Sequence, residues 1–448
     1  MDPILALSAT RMAQLLRDQS ISSTELVRAH LEQIERVNPQ INAAIEVFAE
    51  RALRQAAVSD KRIAAGDARP LEGVPFSVKD SIEIEGAVCT AGTVGREHAP
   101  PAVRDATLVA RLRRAGAIPI ARTNLPDLLF AFESDNLLYG RTNNPHDLSR
   151  TAGGSSGGEA ALIAACGSPL GLGSDAAGSV RVPAAFCGIT SIKPTSGRLP
   201  RTGRIPPPGG WLEALWQIGP MARRVEDLIQ VMPLLAGPDG IDFTSPGVPL
   251  ADPRNVNLAN LRAAFFTEGA DADVSALVRA AAAKLPGAVE EARPACLDEA
   301  YDLEMKLIGP DGGDSMRAYL AEIGSTRVHP LLTGWIDKLE PYRTDVAGLQ
   351  RYWQEWDQYR AEMTAFSRAY DVVLCPAYAH TALRHGESIG EENFRGFCHT
   401  MAFNVAGWPA AVVRCGTSSE GLPIAVQIAA GPWREDVVLA VAEFLEGA

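Results

Sequence analysis

A chain of 448 residues with 46% hydrophobic and 21% charged side chains has the composition of a folded globular protein that can bury a substantial core. Its formal charge of −12 argues against direct nucleic-acid binding, which needs a concentrated basic face. There is no window of about 18 continuous apolar residues, and the start, MDPILALSAT, lacks a basic stretch followed by a long apolar run, so a cytoplasmic protein with no membrane anchor is expected.

In chain order, MAQLLRDQ and TELVRAHLEQIERV place apolar residues at helical spacing, and Ser22 with Glu25 forms a capping box ahead of the second run. LEGVPFSVKD, GAIPIART and SPLGLGSDAAGSV read as short strands punctuated by glycine and proline, with the helix patterns ATLVARLRRAG and GEAALIAACG between them. Residues 200–208, rich in proline and arginine, read as a loop packed over something, the rim of a site being one option. From 251 to 370 come a strand-like LRAAFFT, a helix ADVSALVRAAAAKL and aromatic-rich helical stretches such as LQRYWQEWDQYRAEM. YDVVLCPAY, AAVVRCGT and PIAVQIAAG then return as strands, and REDVVLAVAEFLE closes the chain as a helix.

This alternation predicts an α/β fold with a mixed, largely parallel central β-sheet, α-helices on both faces and a helical insertion. The chain reads as one domain in four stretches: N-terminal helices over 1–60, a core holding the glycine-rich motifs over 61–250, a variable helical insertion over 251–370, and a return to the core over 371–448.

Seven cysteines and seven histidines are scattered, with no C-x-x-C pair and no H-E-x-x-H, so neither a metal nor another cofactor is expected. The chemistry is sought among serines, one lysine and backbone amides. In GVPFSVKD, Lys79 follows a Phe-Ser-Val run of buried type, where an ammonium is costly unless neutralised or partnered. That makes it a candidate base; a surface lysine at a strand end is the ordinary alternative. In TAGGSSGGEAALIAACG, glycines flank two serines and lead into a helix near Gly158 or Glu159, offering N–H groups at a helix N-terminus. By composition alone GGSSGG also reads as a flexible linker. In GLGSDAAGSVRVPAAFCG, the small residues Ala176, Ala177 and Gly178 before Ser179 let a carbonyl approach the main chain, as an oxyanion hole requires. A tight turn in which Ser179 satisfies a neighbouring carbonyl is the plain alternative.

Taken together, GVPFSVKD, GGSSGGEAAL, SDAAGSVRVPAAFCG and SIKPTSGRLPRTG resemble the amidase signature family in order and in the 24-residue separation of Ser155 from Ser179. FNVAGWPAAVVRCG and LPIAVQIAAGPWREDVVL resemble its C-terminal pattern, while residues 251–370 match weakly. The serine loops are most similar to the fatty acid amide hydrolase branch. The resemblance implies Ser179 as nucleophile, Ser155, after a cis bond from Gly154, as proton relay, and Lys79 as base. It implies oxyanion donors at Ala176, Ala177, Gly178 and Ser179, and support from Gly154, Ser156, Asp175 and Arg181. Ala177 stands where the family usually has glycine, which narrows the site.

Leu129 aligns with a position that lines the substrate site in the lipid-cleaving branch. Leu128, Phe130 and Phe132 beside it, and Trp211, Leu212, Leu215 and Trp216 after the proline-rich loop, suggest a hydrophobic or aryl substrate group, unless several are ordinary core. The expected substrate is a small-molecule amide, or an ester or carbamate, bound by a monomer or homodimer. Two rivals stand beside this reading: the glutaminase subunit of a tRNA-dependent amidotransferase, which needs partner subunits, and a catalytically silent binding protein on the same scaffold.

Overall fold

The computed structural model describes residues 2–207 and 215–447. Its strands are β1 (Ala44–Val47), β2 (Pro75–Lys79), β3 (Ile118–Thr123), β4 (Asn143–Asn144), β5 (Asp147–Thr151), β6 (Leu170–Asp175), β7 (Thr190–Lys193), β8 (Gln217–Ala222), β9 (Arg262–Phe265), β10 (Ala288–Glu291), β11 (Val372–Pro376), β12 (Ala410–Thr417) and β13 (Pro423–Ala429). Eleven of them form one sheet in the order β1-β3-β2-β6-β8-β7-β12-β13-β11-β9-β10, and β4 and β5 make a separate hairpin.

The sheet is mixed, with helices on both faces, as expected. Parallel pairing, however, is confined to two flanks, β3-β2-β6 and β11-β9-β10, whereas β6-β8-β7-β12-β13-β11 run antiparallel. This corrects the expectation of a largely parallel sheet, and connection length explains it. Parallel neighbours need a crossover, and helices Thr107–Arg114 and Ala272–Ala283 supply one between β2 and β3 and between β9 and β10. The turn at 418–422 is short enough to make β12 and β13 a hairpin. The 251–370 stretch is also more than a helical excursion, since β9 and β10 extend the sheet. LRAAFFT announces β9; β10, Ala-Val-Glu-Glu, is exposed along most of its length and carries no alternating apolar signal.

Alternation along each strand sorts side chains between the two faces. Phe76 and Val78 of β2, Leu170 and Leu172 of β6, and Val372 and Leu374 of β11 join one core with helices Thr107–Arg114, Val225–Leu235 and Glu435–Gly447. The opposite face holds helices Ser23–Ile41, Gly157–Ala164 and Arg181–Cys187, and further along Ala300–Ile308, Val346–Ala369 and Cys398–Val405. The Ser22–Glu25 capping box forms at the start of Ser23–Ile41. Among the described residues, no helix is long and apolar enough to cross a membrane.

The same alternation positions the serine motifs. Between Leu170 and Leu172 stands Gly171, where a Cβ would overlap the Glu159 carboxylate; a Cβ at Gly173 would come within 2.8 Å of Ser156 Oγ. These two glycines let helix Gly157–Ala164, which follows Ser155 and Ser156, lie close to the sheet. Gly171→Ala is expected to lower stability by about 1–3 kcal/mol through overpacking, read as a lower urea midpoint with an unchanged slope.

Candidate active site

Lys79 ends β2 with its side chain fully buried. Its Nζ lies within hydrogen-bond distance of Ser155 Oγ at 2.7 Å, Ser174 Oγ at 2.9 Å and Ser156 Oγ at 3.0 Å. The Gly154–Ser155 peptide bond is cis. A Cβ on Gly154 would lie 2.6 Å from the Ala131 carbonyl oxygen and from the Glu133 nitrogen, so only glycine fits between those loops. Ser134 Oγ pins the segment, donating to the Gly153 carbonyl at 3.0 Å and accepting from Gly157 N–H at 2.9 Å. The Ser156 N–H donates to the Ser179 carbonyl at 3.1 Å, which ties the two serine motifs together.

No carboxylate bonds Lys79 directly among the described residues. Burial holds its pKa well below the usual lysine range, with the more distant charges of Asp175 and Glu159 opposing. A neutral amine has two N–H donors and one lone pair. Ser156 Oγ donates its proton to the Ser174 carbonyl at 3.2 Å and can therefore only accept from Lys79. The lone pair is left for the Ser155 or the Ser174 hydroxyl. Lys79 can thus take a proton from Ser155.

Asp175 organises the Ser179 loop. Its carboxylate accepts from Arg181 Nη2 at 2.8 Å and Nε at 3.0 Å, from Asn404 Nδ2 at 2.9 Å, and from the N–H groups of Gly178 at 2.8 Å and Val180 at 3.1 Å. Burial alone would raise this carboxyl; the Arg181 guanidinium and the bonds from Arg181 and Asn404 prevail and hold it far below the carboxylate range. Thr400 Oγ1 donates to the Ala177 carbonyl at 2.7 Å, and Arg181 Nη1 reaches the Thr400 carbonyl at 2.8 Å.

One expected oxyanion donor is thereby corrected. The Gly178 N–H belongs to Asp175, because the turn into helix Arg181–Cys187 folds back over that carboxylate. The N–H groups of Ala176, Ala177 and Ser179 have no protein acceptor among the described residues and are the available donors. Gly178 serves conformation instead: its φ is +128°, and a Cβ there would strike Thr400.

Ser155, Ser174, Ala176, Ala177 and Ser179 open onto one cavity. Leu128, Leu129, Phe130 and Phe132 line it with Trp216; Leu215 lies in the core behind. Trp211 and Leu212 fall outside the described residues. The 200–208 loop brings Arg204 and Pro206 to the wall, the Arg204 guanidinium stacking on Trp216 at 4.3 Å. Ile308 and Trp335 complete it, and Trp335 meets Phe130 edge-on at 5.2 Å between ring centres. Sequence reasoning missed Ile308, Trp335, Ser174, Thr400 and Asn404. Only Ser174, within the SDAAGS motif, carried a local signal.

A sheet of this architecture with a buried lysine among serine hydroxyls defines a class, and the family model described as Amidase matches residues 25–439. The chain belongs to the amidase family. It is 31% identical to human fatty-acid amide hydrolase 2 over 99% of this chain and 89% of that protein. It is 34% identical to a glutamyl-tRNA(Gln) amidotransferase subunit of Roseiflexus castenholzii, over 99% of this chain and 96% of that protein. Among solved structures, 6-aminohexanoate cyclic dimer hydrolase complexed with substrate superposes with a TM-score of 0.88 at 28% identity, over 100% of this chain and 97% of that one.

Arg181→Met leaves Asp175 as an uncompensated buried carboxylate and is expected to cost about 3–5 kcal/mol. The depressed folded pKa of Asp175 contributes stability that is fully present above the unfolded value of about 3.9 and is lost as pH falls. Without Arg181, burial raises the Asp175 carboxyl of the variant, so the deficit against the parent chain, measured by urea unfolding, should be largest at high pH and shrink as pH falls through that raised pKa, ahead of the parent's own acid transition.

Proposed function

We propose that this chain hydrolyses the C–N bond of amides bearing a hydrophobic or aryl group, through an acyl-enzyme on Ser179 with Ser155 as relay and Lys79 as base. The observation that carries this reading is the buried Lys79 amine, in contact with three serine hydroxyls and, among the described residues, no carboxylate. As Ser179 Oγ attacks the amide carbon, its proton passes to Ser155 and the Ser155 proton to Lys79. The carbonyl oxygen, now anionic, is received by the N–H groups of Ala176, Ala177 and Ser179. On collapse the C–N bond breaks and the amine leaves with the proton returned from Lys79 through Ser155. Water then releases the acid by the same steps, restoring Ser179. Esters and carbamates share the tetrahedral stage and are expected as further substrates.

The walls favour an apolar group. Leu129, Phe130, Phe132, Trp216 and Trp335 would desolvate a glutamine side chain with few polar partners in return. This sets the hydrolase reading above the glutaminase one, although an amidotransferase relative matches nearly the whole chain. Residues intact at all three positions set it above a silent binding protein.

A panel of anilides, carbamates, esters, long-chain amides and glutamine at fixed pH tests the substrate class; turnover of glutamine in preference to the rest would overturn it. Ser179→Ala is expected to lower kcat by at least about 10⁴-fold with the circular dichroism spectrum unchanged. Lys79→Ala should lose about 10²–10⁴-fold on anilides and distinctly less on activated esters, whose leaving groups need no proton. Equal losses on both would count against the relay.

A further inference from the structure

We propose that Glu159 is a positioning residue for this reaction, the buried counter-charge that stabilises Lys79 when its amine takes up the serine proton. The inference rests on the hydrolase reading above. Glu159 stands in the first turn of helix Gly157–Ala164, four residues after Ser155, and is fully buried. Its carboxylate accepts from Ser77 Oγ and, at 2.7 Å, from Thr123 Oγ1. Both donors flank the base: Ser77 precedes Lys79 by two residues on the same face of β2, and Thr123 is the register partner of Lys79 on β3. Gly171 leaves the space that the carboxylate occupies. No lysine or arginine bonds Glu159 among the described residues. Two hydroxyl donors and the positive end of a helix favour its anion, and Lys79 is the cation placed to answer it.

The other charged groups around this compartment are engaged elsewhere. Asp80, next to Lys79, pairs with Arg122 of β3, which also bonds Glu46 of β1. Asp175 of β6 is held by Arg181 of helix Arg181–Cys187. His30 of helix Ser23–Ile41 faces Cys166 and Gly167 at the far end of the serine helix, where burial and Arg223 lower its pKa to about 3 and keep it neutral. β8, Gln-Ile-Gly-Pro-Met-Ala, has no titratable side chain.

Burial raises the Glu159 carboxyl to about 7, against the Ser77 and Thr123 hydrogen bonds and the Lys79 charge. Burial lowers Lys79, against Asp175 and Glu159. The two groups therefore titrate as a linked pair. An ionised Glu159 keeps Lys79 basic enough to accept a proton despite its dry surroundings, and stabilises the ammonium formed while the tetrahedral intermediate exists.

Glu159→Gln keeps an acceptor for both hydroxyls and removes the charge. The acid limb of kcat/KM for an anilide, which reports the free enzyme, should move to lower pH by about one unit or more. The plateau should fall, because a less basic amine takes up the proton less readily. Thr123→Val, which removes one donor and so makes the carboxyl harder to ionise, should move the limb the same way by less, and it tests the idea should Glu159→Gln fail to fold. A limb that stays in place, or moves to higher pH, overturns the inference whatever the rate does, since a purely structural Glu159 would lower the plateau alone. Fluorophosphonate labelling of Ser179 in the parent chain separates the two levels. Labelling with an unmoved limb removes only the role of Glu159; absence of labelling removes the hydrolase reading and this inference with it.

Discussion

An amine has been taken out of water and, among the described residues, given only hydroxyl partners, and most of the surrounding architecture follows from that. Lys79 stands at the end of a strand whose alternate residues, Phe76 and Val78, are deep in the core, so it cannot retreat to solvent. A buried ammonium is costly unless a charge compensates it directly. Here the direct partners are Ser155, Ser156 and Ser174, and the amine is held toward its neutral form. Bringing three hydroxyls to one nitrogen requires the serine helix to lie close to the sheet, which in turn requires glycine at 171 and 173.

Charge compensation in the neighbourhood is partitioned. Arg181 and Asn404 satisfy Asp175, Arg122 satisfies Asp80, and Lys79 is left to its serines with Glu159 as a more distant charge. The partition orders the main chain as well: by drawing in the Gly178 and Val180 amides, Asp175 shapes the turn, while those of Ala176, Ala177 and Ser179 have no protein acceptor among the described residues. Thr400 braces the same turn from the carbonyl side. The ion pair of Asp175 with Arg181 thus helps fix which amides of this turn are engaged.

The walls of the cavity answer to a different constraint from its floor. The floor comes from β6 and the two glycine-rich segments, whereas the walls come from Leu128–Phe132, Arg204, Pro206 and Trp216 together with Ile308 and Trp335 of the stretch between 251 and 370. The cavity is thus built jointly by the core that holds the glycine-rich motifs and by the stretch between 251 and 370.

Lys79, Ser155, Ser179, Asp175 and Arg181 were legible in the sequence because each lies in a short segment whose glycines, small residues and spacing record local backbone demands. So were the mixed sheet, the capping box at Ser22 and the apolar run from Leu128 to Phe132. Only the tertiary structure decided that Gly178 gives its amide to Asp175, that Ile308 and Trp335 close the pocket, that parallel pairing is confined to the flanks, and that Glu159 shares a compartment with Lys79. Each of these depends on a contact between residues brought together by strand pairing or helix packing. Such contacts leave no periodicity or spacing in the sequence around either partner.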